Sequence, residues 1–129
     1  MNIYLDENLS EYVADALNSL CKGHFRDIEV FSTKRAFGKG VLDEDLIPQI
    51  GEQEGILITR DVAIHRTRSQ YELCKAYNLG IWFLPQTQVS HWQLVKLLII
   101  HWDEIVETSQ KSRKPFAYKL KMKGKPEKM

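Results

Sequence analysis

Apolar and polar positions follow two rhythms along this chain, and the switching between the rhythms outlines the fold. Residues 2–5 are a short apolar-rich run followed at once by acids, which predicts a first strand. Leu9, Val13, Ala16, Leu17 and Leu20 recur at helical spacing and predict a helix over residues 9–21. Asn8, with Glu11 three residues on, suits its capped start, and Gly23 its stop. Residues 28–31 predict a second strand, and residues 34–40 a basic, glycine-containing loop. Asp43, Glu44 and Asp45 precede Leu46, Ile47 and Ile50, the pattern of a short helix whose acidic first turn suits the positive end of its dipole. Pro48 is expected in or near that first turn, because deeper in a helix it removes a backbone bond. Residues 56–58 form a continuous apolar run, as a strand covered on both faces would. A helix over residues 69–77, a strand over 81–84 closed by Pro85 and a long helix over 90–107 follow. The last is apolar nearly all round and is expected to be buried on more than one side.

Strand and helix alternate throughout, which predicts an α/β fold: a three-layer α/β/α domain with a mainly parallel sheet of four to five strands. Crossovers in such sheets are right-handed, so the strand C-termini share one edge, and that edge is where ligands bind. At 129 residues the chain fits one domain. The charge is unevenly placed, which suggests a body over residues 1–110 and an extension over 111–129. The extension has eight Lys and Arg against one acid, Glu127, for a charge of +7, whereas the body carries −6. Phe116, Tyr118, Leu120 and Met122 alternate with Ala117, Lys119, Lys121 and Lys123, so an edge strand with one apolar and one basic face is expected there. The basic face suits RNA or an acidic partner protein; equally, it suits a solvated edge whose lysines block aggregation.

Two acids stand at the ends of predicted parallel strands: Asp6 after the first and Asp61 after the third. Asp43 opens the helix that leads into the third strand and so starts at the same sheet edge. Three carboxylates distant in sequence are thereby expected to converge. Such a cluster repels itself unless a cation sits among the charges, and hard cations such as Mg²⁺ or Mn²⁺ take oxygen ligands. Each acid also has a plainer reading: Asp6 as a solvated strand end, Asp61 as a helix cap, Asp43 as a cap or dipole partner. Arg60, His65, Arg66 and Arg68 gather after the third strand, where they are candidates for binding substrate phosphates or for surface ion pairs.

The opening Ile-Tyr-Leu-Asp-Glu-Asn-Leu-Ser, the segment Leu42 to Pro48 and the run Ile-Leu-Ile-Thr-Arg-Asp at residues 56–61 resemble, in order and spacing, the strand-borne and helix-borne acidic motifs of PIN-like domains. The similarity is closest to the group that includes VapC-type toxin ribonucleases. It implies Mg²⁺- or Mn²⁺-dependent RNA cleavage, with an antitoxin protein as partner and Asp6, Asp43 and Asp61 as metal ligands. Glu7 and Glu44 are secondary candidates; Asp45 competes with Asp43, and Asn8 could hold a metal-bound water. The chain departs from the pattern at Ala63, where many such proteins carry a further acid, so one ion rather than two is expected. A non-catalytic RNA- or partner-binding module on the same fold is the alternative, and a homodimer is a further expectation.

The remaining chemistry is sparse. Cys21 and Cys74 have no metal-type spacing and read as reduced, small apolar residues. His91 and His101 show no zinc motif, and Trp82, Trp92 and Trp102 read as core. The most apolar run, residues 94–100, is broken by Lys96 and is too short to span a membrane. The N-terminus has no secretory pattern, so the cytoplasm is the expected location.

Overall fold

A computed structural model of the chain describes residues 1–61 and 63–129, and the side chains of all of these except Ala63 and His65. The order of elements is β1 (Asn2–Leu5), α1 (Glu11–Lys22), β2 (Glu29–Ser32), α2 (Thr33–Phe37), α3 (Asp43–Glu52), β3 (Ile56–Thr59), α4 (Ala63–Arg66), α5 (Arg68–Ala76), β4 (Gly80–Phe83), α6 (His91–Ile100), α7 (Trp102–Lys111), β5 (Phe116–Lys119) and β6 (Glu127–Lys128). The strands form one six-stranded sheet in the order β2-β1-β3-β4-β5-β6, one strand more than expected. The first five run parallel, and only the two-residue β6 is antiparallel. The chain winds outward both ways from β1 and β3, so the topological switch point lies between them.

Period-two alternation sends strand side chains to two cores. Ile3, Leu5, Ile56, Ile58, Trp82, Phe116 and Leu120 meet residues of α1, α6 and α7 on one face. Tyr4, Leu57, Ile81 and Phe83 meet residues of α3, α4 and α5 on the other. The central strands are therefore apolar on both faces along most of their length, which is why residues 56–58 lack alternation. The basic extension is woven into this core, since Phe116 and Leu120 are both buried.

Five further expectations are corrected. Residues 33–37 are a helical turn rather than loop. Residues 90–107 are two helices, because the backbone departs from helix at His101 (φ −98°, ψ 6°). The break turns Trp102, Ile105 and Val106 inward and leaves Trp92, Ile99 and Ile100 exposed, so α6 is not buried all round. Pro48 sits in the second turn of α3, beyond where it was expected. The cap of α1 is Ser10, whose hydroxyl accepts from the Tyr12 N–H at 3.2 Å, and not Asn8.

Helix α3 carries Asp43, and its seat is fixed by Gly51. A Cβ at that position would lie 2.6 Å from both Cβ and the carbonyl oxygen of Tyr77. Two backbones meet there with no flexible side chain to yield. Gly51→Ala is expected to destabilise the protein by about 1–3 kcal/mol, the range for overpacking, read as a lower urea midpoint at unchanged m-value.

Candidate metal centre at the sheet edge

The chain leaves β1 at Asp6 and β3 at Arg60 and Asp61, side by side. The ladder runs one residue past β1, with the Asp6 N–H donating to the Ile58 carbonyl at 3.1 Å. Asp6 continues the alternation of Tyr4, so its carboxylate points to the face covered by α3. Thr59 follows Leu57 on the same face. The Thr59 hydroxyl donates to Asp6 Oδ2, and the Arg60 N–H donates to the same oxygen at 3.1 Å. The Asn8 N–H donates to Asp6 Oδ1 at 3.0 Å. The Asp61 N–H in turn donates to Thr59 Oγ1 at 2.9 Å, so the hydroxyl links the two acids. Asp6 is only 9% exposed. Burial pushes its carboxyl above the usual range, and the bonds from Thr59, Arg60 and Asn8 pull it part of the way back.

Asp43 is the first residue of α3, half-buried, and receives a hydrogen bond from Gln70 Nε2 of α5 at 3.2 Å. Its carboxyl is also raised, first by burial and then by the negative charges of Asp61, Asp6 and Glu44. Asp43 thus lies within electrostatic reach of both Asp6 and Asp61. Asp6, Asp43 and Asp61 line one cleft of about 280 Å³ with Glu7, Asn8, Thr33, Leu46 and Thr59.

The other candidates divide. Glu7 lines the cleft, but its carboxylate accepts from the Gly40 N–H at 3.1 and 3.3 Å and so anchors the loop that forms the cleft rim. Asn8 holds Asp6 through its backbone. Glu44 and Asp45 are exposed and do not line the cleft. The Arg60 guanidinium donates to the Thr87 carbonyl at 3.1 Å and braces the loop after β4. Arg66 and Arg68 are exposed, at the end of α4 and the start of α5, and neither lines the cleft. The side chain of His65 lies outside the described residues. Thr59 and Gln70 had been given no role in the sequence. Thr59 was visible inside the Thr-Arg-Asp motif, whereas nothing in the pattern marks Gln70.

An all-oxygen donor set at a partly closed cleft suits a hard cation. Among the described residues no three Asp, Glu, His or Cys side chains gather tightly enough to enclose an ion alone. The fit is to an ion that takes one or two carboxylates directly and completes its shell with water, as Mg²⁺ does. Cys74, behind the site, is pushed up to about 12 by burial and by the Asp43 charge, so its thiol stays protonated. Cys21 is also buried and free.

An α/β sheet of this order with acids at its switch point carries them at the edge where such sheets bind ligands, and the comparison with known families narrows the class. A family model described as PIN like domain matches residues 1–86, so the chain belongs to the PIN-like domain family. Such domains are commonly nucleases, which gives the chain a nuclease-type function in general terms. Neither among curated proteins nor among solved structures does any match appear. Among the described residues, no helix is long and apolar enough to cross a membrane.

The raised Asp43 carboxyl sets a sign. Its contribution to stability is full below the unfolded carboxylate range, near pH 4, and is lost as pH rises through the raised folded value. In EDTA at neutral pH, Asp43→Asn is therefore expected to melt higher than the wild type, with the gain vanishing toward pH 4. Thr59→Val keeps the shape of the side chain but takes a donor from a buried charge. A loss of about 1.5–3 kcal/mol is expected, the worth of a bond to a charged group, measured by denaturant titration.

Proposed function

We propose that the chain is a metal-dependent endoribonuclease that hydrolyses RNA phosphodiester bonds, acting as the toxin of a type II toxin–antitoxin pair of the VapC kind. The observation that carries the reading is the union of Asp6, Asp43 and Asp61 on one cleft wall from three separate elements. On this reading Mg²⁺ or Mn²⁺ would take one or two of these three acids directly and meet the rest through its waters. When bound, the ion supplies a Lewis acid and a water of lowered pKa. The chain's own residues do the rest. Thr59, Arg60 N–H and Asn8 N–H fix the Asp6 carboxylate in one orientation, and Gln70 holds Asp43. On this reading Arg66 and Arg68, both exposed, are the candidates to take up substrate phosphates through bidentate contacts. The apolar floor of Leu46, Leu57 and Ile64 limits water behind the carboxylates.

The toxin half of the reading is supported by surface. Tyr12, Leu20, Trp92, Ile99 and Ile100 are exposed along α1 and α6, an apolar strip of the sort that protein partners cover. An antitoxin or a second copy of the chain would suit it; co-expression with the product of a neighbouring reading frame separates the two. Ala63 favours a second reading, a PIN-like module that binds RNA or a partner without cutting, since it stands where the PIN-like pattern often has an acid.

Cleavage decides between them. In Mg²⁺, Asp6→Asn and Asp61→Asn are each expected to reduce RNA cleavage by more than roughly 100-fold, beyond the 10–100-fold that the outer partners of metal ligands cost. Circular dichroism should show both variants folded. Equal cleavage by wild type and both variants would sink the nuclease reading. RNA, DNA and small phosphoesters run side by side fix the substrate class.

A further inference from the structure

We propose that the turn between β5 and β6 is a capture surface for the backbone of single-stranded RNA, lying on the same sheet edge as the carboxylate cleft and serving it. The inference rests on the ribonuclease reading for its substrate, but its residues lie outside the stretch matched by the family model, residues 1–86.

Register places the surface. Thr59, which bonds Asp6, pairs with Phe83 of β4, and Phe83 pairs with Lys119 of β5. One rung of the sheet thus runs from the cleft to Lys119, two strand spacings or about 10 Å away. Lys119 follows Ala117 at period two and shares the face of Phe83, Thr59 and Asp6. The ladder continues one residue further, with the Leu120 N–H donating to the Phe83 carbonyl at 2.8 Å. The chain then turns through Lys121, Lys123 and Lys125, all exposed, and Gly124 (φ +87°) supplies the left-handed position. Arg60, at the end of β3, is tied to the loop after β4.

Charge gives the surface its purpose. The first 110 residues carry −6, so the body repels a polyanion. Lys119 to Lys128 contains five lysines against one acid. Among the described residues the one ion pair of the turn is Lys121 with Glu127 at 4.0 Å, both exposed. The turn therefore holds an open positive cluster beside a cleft of opposite sign. Protection of a sheet edge explains lysines on a strand, but Lys121, Lys123 and Lys125 lie outside β5 and β6. Phosphates flanking a scissile bond would meet these lysines as the strand leaves the cleft.

Truncation cannot test this, because Phe116 and Leu120 belong to the core. Substitution can. In the full chain, Lys121→Gln/Lys123→Gln/Lys125→Gln is compared with Lys22→Gln/Lys111→Gln/Arg113→Gln, which removes the same charge from the opposite sheet edge. Binding of a fluorescent mixed-sequence 20-nucleotide RNA is titrated against salt in EDTA, so the readout stands whether or not the protein cuts. The turn variant is expected to bind roughly tenfold or more weakly at low salt, with its salt slope smaller by about 2, at ~0.7 per lost phosphate contact. The opposite-edge variant should stay near wild type. Where the wild type cleaves, a trinucleotide should be cut equally by the turn variant and a long RNA more slowly. RNA affinity unchanged in the turn variant overturns the proposal, as does equal weakening in both variants. Unchanged RNA affinity with lost binding of a poly-glutamate peptide overturns it in favour of an acidic protein partner.

Discussion

A charged carboxylate buried where two parallel strands end is an expensive thing to build, and the rest of the cleft is arranged around it. Asp6 is held by donors from its own turn, through Asn8, and from the end of β3, through Thr59 and Arg60. Those bonds cross the topological switch point, the one place in the sheet where the connecting segments diverge and leave a crevice. The clamp therefore has two effects at once. It offsets the desolvation of Asp6, and it sets the spacing between the strand ends that carry Asp6 and Asp61. A further negative charge on Asp43 acts against folding, as its raised carboxyl records. The fold thus keeps local strain of an electrostatic kind at the one cleft where a cation would relieve it.

The second support is packing. Asp43 reaches the cleft because α3 lies close along the sheet, and α3 lies close because Leu46, Ile47 and Ile50 are buried under Tyr4 and Leu57 while Gly51 admits the backbone of Tyr77. The acids of its first turn also favour the helix N-terminus. One residue therefore serves local structure and site together. The helix has no side-chain cap at Leu42, and the Pro48 ring in its second turn leaves no N–H to bond the Glu44 carbonyl, so tertiary packing rather than propensity keeps it in place.

Much of this was legible in the sequence because buried parallel strands advertise themselves. Residues 56–58 and 81–84 are apolar at every position, and each is followed by a turn signal. The position of the acids after such runs then follows from topology alone. What could not be read depended on single polar contacts or on helix phase. Ser10 rather than Asn8 caps α1, because Asn8 is drawn to Asp6 through its backbone. Thr59 is one hydroxyl in an apolar run, and its role appears only when Asp6 is placed beside it. Residues 91–111 keep an apolar period through His101, so the break in direction left no trace in composition. It is seen only in which residues the two helices bury, Leu94, Leu97 and Leu98 before the break and Trp102, Ile105 and Val106 after it.

The uneven charge of the chain follows from the same arrangement. A basic group within about 4–6 Å of Asp6 or Asp43 would pair with it, stabilise the charged form and compete with any cation. A basic group on the far edge of the sheet would be screened from a substrate at the cleft, since the Debye length at physiological salt is about 8 Å. Lys119 stands two strand spacings, about 10 Å, from Thr59, outside pairing range and only a little beyond one Debye length. At that distance Lys119 does not pair with Asp6 or Asp43, and the lysines of the turn beyond it face phosphates further along a bound strand. The sheet supplies the distance: β4 is the spacer, apolar on both faces and without a charged side chain. A body of −6 and an extension of +7 are then two parts of one edge, kept apart by a strand whose side chains serve only packing.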